Sequence, residues 1–383
     1  MTATHTRSHY RVERNLDEGL TKKMARRAQI ERSSGLGSPS EAQRRLERFL
    51  RTRVAGEFAV TDVARLSGGG ANESYSFVLE IGDRREERVL RIKAPGAICE
   101  TDVEREFHML LATRRALPVP EPYWWTTDPD DFGAPALICQ KVDGVASPTK
   151  NAPKATGLGV AFGAPLAEKL APQFVRHLAA LHSYDWSTEN LGGFDIPRAD
   201  TTDAVDWRLD FWDRAWEEDA LEAHPTVLLT QQWLRERRPF VDHVSLLHGD
   251  YRNGNFLFDE DTTEITAVID WELCYLGDRH SDLGYAMLPG WGHFTEDGRY
   301  LNSGLVEKDR FIADYERHSG LDVDQERLEY YLVLNMYWAV VALVGTGVRN
   351  AEAKMTQLDV MYNFISGLGG FFIGELNRVL AKD

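Results

Sequence analysis

The pattern of apolar and polar positions changes character twice along the chain. Near the start, "SPSEAQRRLERFLRTRV" carries helix-capping chemistry at Ser38 or Ser40 and sets Leu46, Phe49, Leu50 and Val54 on one helical face. The tract "RSSGLGSPS" before it reads as a hinge. From Phe58 to Gly144 strand patterns take over. "FAVTDVARLS", "ESYSFVLEI" and "ERVLRIKA" alternate or run apolar with β-branched residues, and "IGDRR" supplies a turn. One helix follows in "ETDVEREFHMLLATRRAL", with Val103, Phe107, Leu110 and Leu111 on one face, and "PVPEP" ends it. "APALICQKVDG" reads as the last buried strand of this region. Beyond Gly144 the helical period returns in "PLAEKLAPQFVRHLAALHSYDW", "TDAVDWRLDFWDRAWEEDALEAH" and "VLLTQQWLRERRP". The pattern predicts an α+β chain with a small antiparallel-sheet lobe, a larger mainly helical lobe and a cleft between them. The expected units are a helical arm over 1–55, the sheet lobe over 56–143 and the helical lobe over 144–383.

One stretch inside the helical region breaks the pattern: "LLHGDYRNGNFLFDEDTTEITAVIDWE", residues 246–272. Here "NFLFD" and "EITAVID" read as two short strands joined by a turn, so Asp270 is expected to return toward Asn255. Phosphoryl transfer needs an acid in a rigid loop to orient and deprotonate the attacking hydroxyl. It also needs an Asn and a second Asp to hold metal against the nucleotide phosphates. Asp250, Asn255 and Asp270 stand in that order, and the interval from Asp250 to Asn255 equals that in the protein-kinase loop H-R-D-x-x-x-x-N. Asp250 is therefore the catalytic candidate, with Asn255 and Asp270 as metal ligands.

The run "HGDYRNGNFLF…AVIDWELCYLGDRHSDLGY" resembles the aminoglycoside phosphotransferase and choline kinase family, and more particularly a branch related to domains associated with acyl-CoA dehydrogenases. The resemblance spans Phe58 to the last helices. It implies a bilobal protein-kinase-like fold, ATP (with GTP as the alternate nucleotide) and Mg²⁺ as cofactors, and a small-molecule alcohol as phosphate acceptor. It further implies that Asp282 of "SDLGY" braces the catalytic loop. His280 stands where relatives commonly have Pro and is assigned no role, and His248 reads as a loop-bracing residue.

If the cleft binds ATP, the sheet lobe should supply a phosphate loop, a cation and an acid to hold that cation. "LSGGGANESYSF" lies between two strands. Ser67, Gly68 and Gly69 suit a backbone that approaches phosphate oxygens, and Asn72 and Ser74 can donate hydrogen bonds. Relatives often carry Ser where this chain has Ala71. "VLRIK" puts Arg91 at the position of the branch's phosphate-binding base, with Lys93 the alternate on the same strand face. Glu106 matches the branch's partner for that cation; taken alone, it reads equally well as a solvated helical acid. Backbone groups of Gln140 and Val142 are candidate adenine contacts in a hinge. Cys139 reads as a small buried hydrophobe. Glu272 suits either metal or substrate on one hand, or a structural ion pair on the other.

Composition narrows the partners. The chain has 383 residues and a formal net charge of -16. That disfavours nucleic acid, which calls for clustered Lys and Arg. Three widely spaced cysteines, Cys99, Cys139 and Cys274, support neither a disulfide framework nor a zinc site and fit a reducing cytoplasm. The apolar run Tyr330–Val348 reads as a buried core helix, so no membrane partner is expected. The N-terminal arm either packs on the body or mediates a homodimer. On the helix over 202–224, Asp206, Asp210, Asp213 and Glu217 form an acidic stripe, which reads as an ordinary solvated face in preference to a wall for a cationic substrate. A protein kinase is disfavoured because no D-F-G or A-P-E signature is present. A catalytically silent nucleotide-binding protein, and a kinase of hydroxylated acyl compounds in place of aminosugars, remain as alternatives.

Overall fold

The computed structural model describes residues 9–27, 36–66, 72–93, 97–149, 160–353 and 359–382. Two helices precede the sheet, α1 (Arg14–Arg27) and α2 (Pro39–Leu50). Ser38 is the N-cap of α2 and accepts from the Glu41 N–H, and Pro39 occupies the first turn. The sheet contains β1 (Phe58–Arg65), β2 (Asn72–Ile81), β3 (Arg84–Lys93), β4 (Pro122–Thr126) and β5 (Ala136–Gln140) in the order β1-β2-β3-β5-β4. Every neighbouring pair is antiparallel. Helix α3 (Val103–Thr113) crosses between β3 and β4, capped by the Asp102 carboxylate, and the single turn α4 (Pro129–Phe132) connects β4 to β5.

The helical lobe begins with α5 (Ala164–His182), α6 (Asp203–Asp219) and α7 (Pro225–Glu236). Two small ribbons follow. One pairs β6 (Val244–Leu247) with β9 (Tyr275–Asp278), and the other is the hairpin β7 (Phe256–Phe258) and β8 (Ile265–Val268). The chain ends with α8 (His280–Ala286), α9 (Lys308–Ser319), α10 (Gln325–Val340), a π-helical segment Val341–Gly347, α11 (Val348–Ala353) and α12 (Asp359–Leu380). The small antiparallel sheet followed by a mainly helical body is the architecture expected from the apolar pattern. One helical stretch, Gln325–Ala351, is long and apolar enough to cross a membrane, and 83% of its most apolar window is buried inside the molecule.

Two clusters of buried side chains account for the packing. Ala42, Leu46, Phe49 and Leu50 of α2 join Val60, Tyr75, Phe77 and Leu90 on one side of the sheet. The larger cluster unites the helical lobe with Leu16 and Leu20 of α1 and with Met109 and Leu110 of α3. The arm is thus divided between two surfaces: α2 completes the sheet lobe, and α1 packs on α6 and α3.

Of the acidic stripe on α6, Glu217 alone is exposed, where it accepts from the Tyr10 hydroxyl at 2.6 Å; the other three acids are not on a solvated face. Asp206, Asp210 and Asp213 are buried and serve arginines from α7, from the segment just after it and from the arm. Arg238 donates to Asp206 at 2.6 Å and Arg235 to Asp213 at 2.6 Å, and Arg235 also binds Asp210. The Arg11 N–H reaches Asp210 at 2.7 Å. Helical periodicity shows that these acids share a face. It carries no sign of the long-range cations that cover them.

Candidate active site

The loop before β7 is built around backbone constraints. Gly249 has φ +81°, and a Cβ there would lie 2.2 Å from the Leu273 carbonyl oxygen, so the residue before Asp250 must be glycine. Asp282, fully buried on α8, accepts from the His248 N–H at 2.7 Å and the Gly249 N–H at 2.8 Å. The bracing implied for Asp282 is therefore present. His248 adds a second tie: its Nε2 contacts the Ile269 carbonyl at 2.9 Å, while its Nδ1 accepts from the Asp250 N–H at 3.2 Å. Those partners assign the neutral, Nε2-protonated tautomer. His280 is buried between Asp278 (2.6 Å) and the Asp324 N–H (2.9 Å), away from any chemistry assigned above.

Asn255 donates its side-chain amide to the Asp250 carbonyl at 2.9 Å, closing the loop on itself, and its own carbonyl accepts from the Ile269 N–H at 2.9 Å. The hairpin thereby sets Asp270 beside Asn255. Asp270 has φ +69°, a left-handed conformation that Asp tolerates better than most residues. The remaining Oδ1 of Asn255 and the Asp270 carboxylate form an all-oxygen donor pair, which fits a hard divalent cation completed by phosphate oxygens and water. Among the described residues no group of three or more His, Cys, Asp or Glu side chains is arranged to hold a metal alone.

The sheet lobe meets this hairpin through one guanidinium. Arg91 on β3 pairs with Glu106 of α3 and donates to Asp270 at 2.9 Å. Glu272 lies 4.0 Å from the same group and accepts from the Asn72 side chain at 2.8 Å. Burial works against the Arg91 charge, but Glu106, Asp270 and Glu272 together outweigh it and hold the guanidinium above its ordinary pKa. Glu106 is buried with 6% side-chain exposure, which rules out the solvated alternative. Ser74 lies opposite Arg91 in the β2–β3 register, and Asn72 opposite Lys93. Lys93 turns to the Glu100 carboxylate at 2.7 Å and the Thr101 carbonyl at 2.6 Å, so Arg91 is the cation that meets Asp270.

Ser67, Gly68 and Gly69 lie outside the described residues. The Gln140 N–H donates to the Glu121 carbonyl at 2.8 Å, which confines any adenine contact at that residue to its carbonyl; Val142 follows in the connection between the lobes. Cys139 is buried in β5, and burial pushes its thiol up to about 12.

Arg252, two residues past Asp250, was missed by the sequence reading. Its Nε donates to Asp250 at 3.0 Å and its guanidinium lies over the Trp291 ring, 4.5 Å from the centroid. Burial opposes its charge, but Asp250, Tyr285 and Asp270 together hold it above its ordinary pKa, so the fields of both acids reach one cation. The buried Tyr285 phenol is held well above its usual pKa, first by burial and then by the Asp250 charge. A lone cation inside the quoted motif was the available signal for Arg252. Nothing local announced Tyr285.

A two-lobed fold with an acid, an amide and a second acid gathered at the lobe junction, and with a basic residue reaching them from the sheet, defines a kinase-like phosphotransferase class. The chain belongs to the phosphotransferase enzyme family, whose model matches residues 62–331. It is 26% identical over 307 residues to human acyl-CoA dehydrogenase family member 11, covering 76% of this chain and 37% of that protein. It is 24% identical over 311 residues to the probable acyl-CoA dehydrogenase IBR3 of Arabidopsis thaliana, covering 75% and 36%. The chain thus spans little more than a third of these curated relatives. Among solved structures, a Ralstonia eutropha protein provisionally assigned as an aminoglycoside phosphotransferase matches with TM-score 0.62 and 22% identity, over 88% of this chain and 98% of that one. Choline kinase LicA from Streptococcus pneumoniae matches with TM-score 0.53 and 15% identity, over 89% and 99%. These structural likenesses establish the fold.

Proposed function

We propose that the protein transfers the terminal phosphoryl group of ATP, with GTP as the alternate donor, to a hydroxyl of a small molecule. Asp250 takes the proton of the acceptor hydroxyl as its oxygen bonds to the γ-phosphorus and the bond to the departing ADP oxygen breaks. Asn255 and Asp270 would hold Mg²⁺, which when bound neutralises charge on the phosphates. Arg91, kept in place by Glu106, positions the phosphates, and Arg252 adds a second cation beside the transfer path. Ser67, Gly68, Gly69, Asn72 and Ser74 would cover the phosphates from the sheet lobe, with the Gln140 carbonyl and Val142 at the adenine. Three buried, unpaired cysteines support a cytoplasmic setting. Relatives named for acyl-CoA dehydrogenation favour a hydroxylated acyl-type acceptor over an aminosugar.

The observation carrying this reading is the contact of Arg91 with both Glu106 and Asp270, residues far apart in sequence and drawn from both lobes. Thermal melting with ATP or GTP, with and without Mg²⁺, tests it. A Tm rise that requires Mg²⁺ and is lost in D270N, together with turnover lost in D250A while nucleotide binding survives, is the expected result. If neither nucleotide shifts melting, the reading fails. Binding without turnover across a broad alcohol panel would instead make the protein a silent nucleotide binder.

A further inference from the structure

The catalytic loop contains one side chain that the transfer chemistry leaves unassigned. Asn253, three residues past Asp250, is fully buried. Its amide nitrogen donates to the Val160 carbonyl and to the Trp291 carbonyl, each at 3.0 Å. Both neighbours can only accept, so the amide has one possible orientation. Its oxygen is then enclosed with no donor among the described residues, a cost to the fold that calls for an explanation other than stability. Val160 leads into α5, and Trp291 belongs to the excursion between α8 and α9. Gly304 of that excursion has φ +67°, and a Cβ there would lie 2.7 Å from the same Val160 carbonyl. Segments distant in sequence thus meet at one amide within the catalytic loop.

The tryptophan that Asn253 seats lies against Arg252. The Arg252 guanidinium is 4.5 Å from the centroid of the Trp291 ring. Its Nη1 donates to the Asn253 carbonyl at 2.8 Å, and its Nε donates to Asp250 Oδ1 at 3.0 Å. Asp250, Arg252, Trp291 and Asn253 therefore close a ring of measured contacts. That ring is open to solvent on one side, since the Arg252 and Asp250 side chains are 22% and 14% exposed. The Trp291 indole N–H is enclosed and, like the Asn253 oxygen, has no partner among the described residues. What Trp291 contributes is its ring face. An unrestrained Arg side chain samples many rotamers; the ring face, the carbonyl and the carboxylate select one.

We propose that Asn253 and Trp291 are positioning residues for phosphoryl transfer: Asn253 seats Trp291, the Trp291 ring holds the Arg252 guanidinium, and Arg252 fixes the Asp250 carboxylate to meet the acceptor hydroxyl. The proposal rests on the phosphotransferase reading and deepens it. With Oδ1 tied to Arg252, the carboxylate cannot rotate freely, and its second oxygen keeps the one direction that a general base needs. A planar guanidinium satisfies ring, carbonyl and carboxylate at once, whereas a Lys ammonium is a point charge on a flexible stem. Phe at position 291 preserves the ring face; Leu or Met preserves bulk alone.

Two measurements on the full chain test it. In protein labelled with ¹⁵N-arginine, the Arg252 Nε–H resonance is identified by its loss in R252K, and its exchange with water is timed. Exchange is expected to be slow in wild type and W291F, and roughly 10-fold faster in W291L, N253A and D250A. The second measurement is ADP release from ATP and Mg²⁺ with water as the acceptor. W291L and N253A should lower kcat roughly 30-fold with KM for ATP almost unchanged, and W291F should retain most of the rate. In R252A neither W291L nor N253A should cause a further loss, because both act through Arg252. A role in folding alone would lower Tm and add to the R252A loss; W291M takes the place of W291L if that variant does not fold. Fast Arg252 exchange in wild type, exchange indifferent to W291L, W291F as impaired as W291L, or full additivity with R252A would overturn the positioning role. Slow, Trp291-dependent exchange in a protein that neither binds nucleotide nor releases ADP would remove the phosphotransferase reading and leave the fastening of Asp250 standing. ADP release with fast Arg252 exchange would do the reverse.

Discussion

At the scale of single residues, the site depends on two positions whose neighbours leave no alternative. Gly249 combines a left-handed backbone with contact against the Leu273 carbonyl, so Gly249→Ala must move the loop that Asp282 holds. The expected loss is about 3 kcal/mol in urea denaturation, with phosphate transfer falling further than nucleotide affinity because Asp250 is displaced. Arg91 fails differently. Arg91→Met leaves Glu106 buried beside Asp270 without a cation, and truncating one member of such a pair costs about 3 kcal/mol. Adding Glu106→Gln to Arg91→Met should recover part of that loss. If the double variant is no more stable than the single one, Arg91 is not what neutralises Glu106.

Among the elements, α5 makes the clearest pH prediction. His177 lies near the C-terminal end of α5, and burial, helped by Arg176, lowers its pKa from 6.5 to about 4. His182, at the last turn, is lowered too, by burial, although Asp282 opposes the shift. A histidine depressed in the folded state binds fewer protons than it does unfolded, so stability drops as pH falls below 6.5 toward the folded value. For His177 the loss is no more than about 3 kcal/mol, and H177Q should flatten the denaturation midpoint across that window. A parallel loss in H177Q and wild type would show that His177 does not titrate with folding. The same scale shows what the chain discloses. Strands, helices and the Asp250–Asp270 hairpin are legible because they depend on residues close in sequence: a Gly forced by the loop, a short turn, alternating apolar positions. Glu106 was only half-legible, since its helix face was evident and its burial was not. The α6 acids and Tyr285 were opaque. Their meaning lies in partners brought from elsewhere in the fold, such as Arg235, Arg238 and the Trp212–Trp338 stack, and no local pattern encodes those.

For the whole molecule, α1 and the residues before it join both lobes. Leu16 and Leu20 sit in the core shared by α3 and the helical lobe. Glu13 pairs with Arg105 of α3 at 2.9 Å, and Arg105 also donates to the Cys274 carbonyl, directly after the segment carrying Asp270 and Glu272. On the other side Lys23 reaches the fully buried Asp219 of α6 at 2.7 Å. A segment fastened to α3, to the hairpin's exit and to α6 makes the lobes mechanically interdependent, because loosening it exposes core that belongs to both. Glu13→Ala leaves the Arg105 guanidinium, 3% exposed, with only a carbonyl, and should lower stability by about 3 kcal/mol. The loss should appear as one shifted transition. Hydrogen exchange across the denaturation transition, read on peptides of the sheet lobe alone, should report the same midpoint as far-UV circular dichroism dominated by the helical lobe. Two separated midpoints, with only the sheet signal shifted by Glu13→Ala, would show that the lobes fold independently and that the arm serves one of them alone.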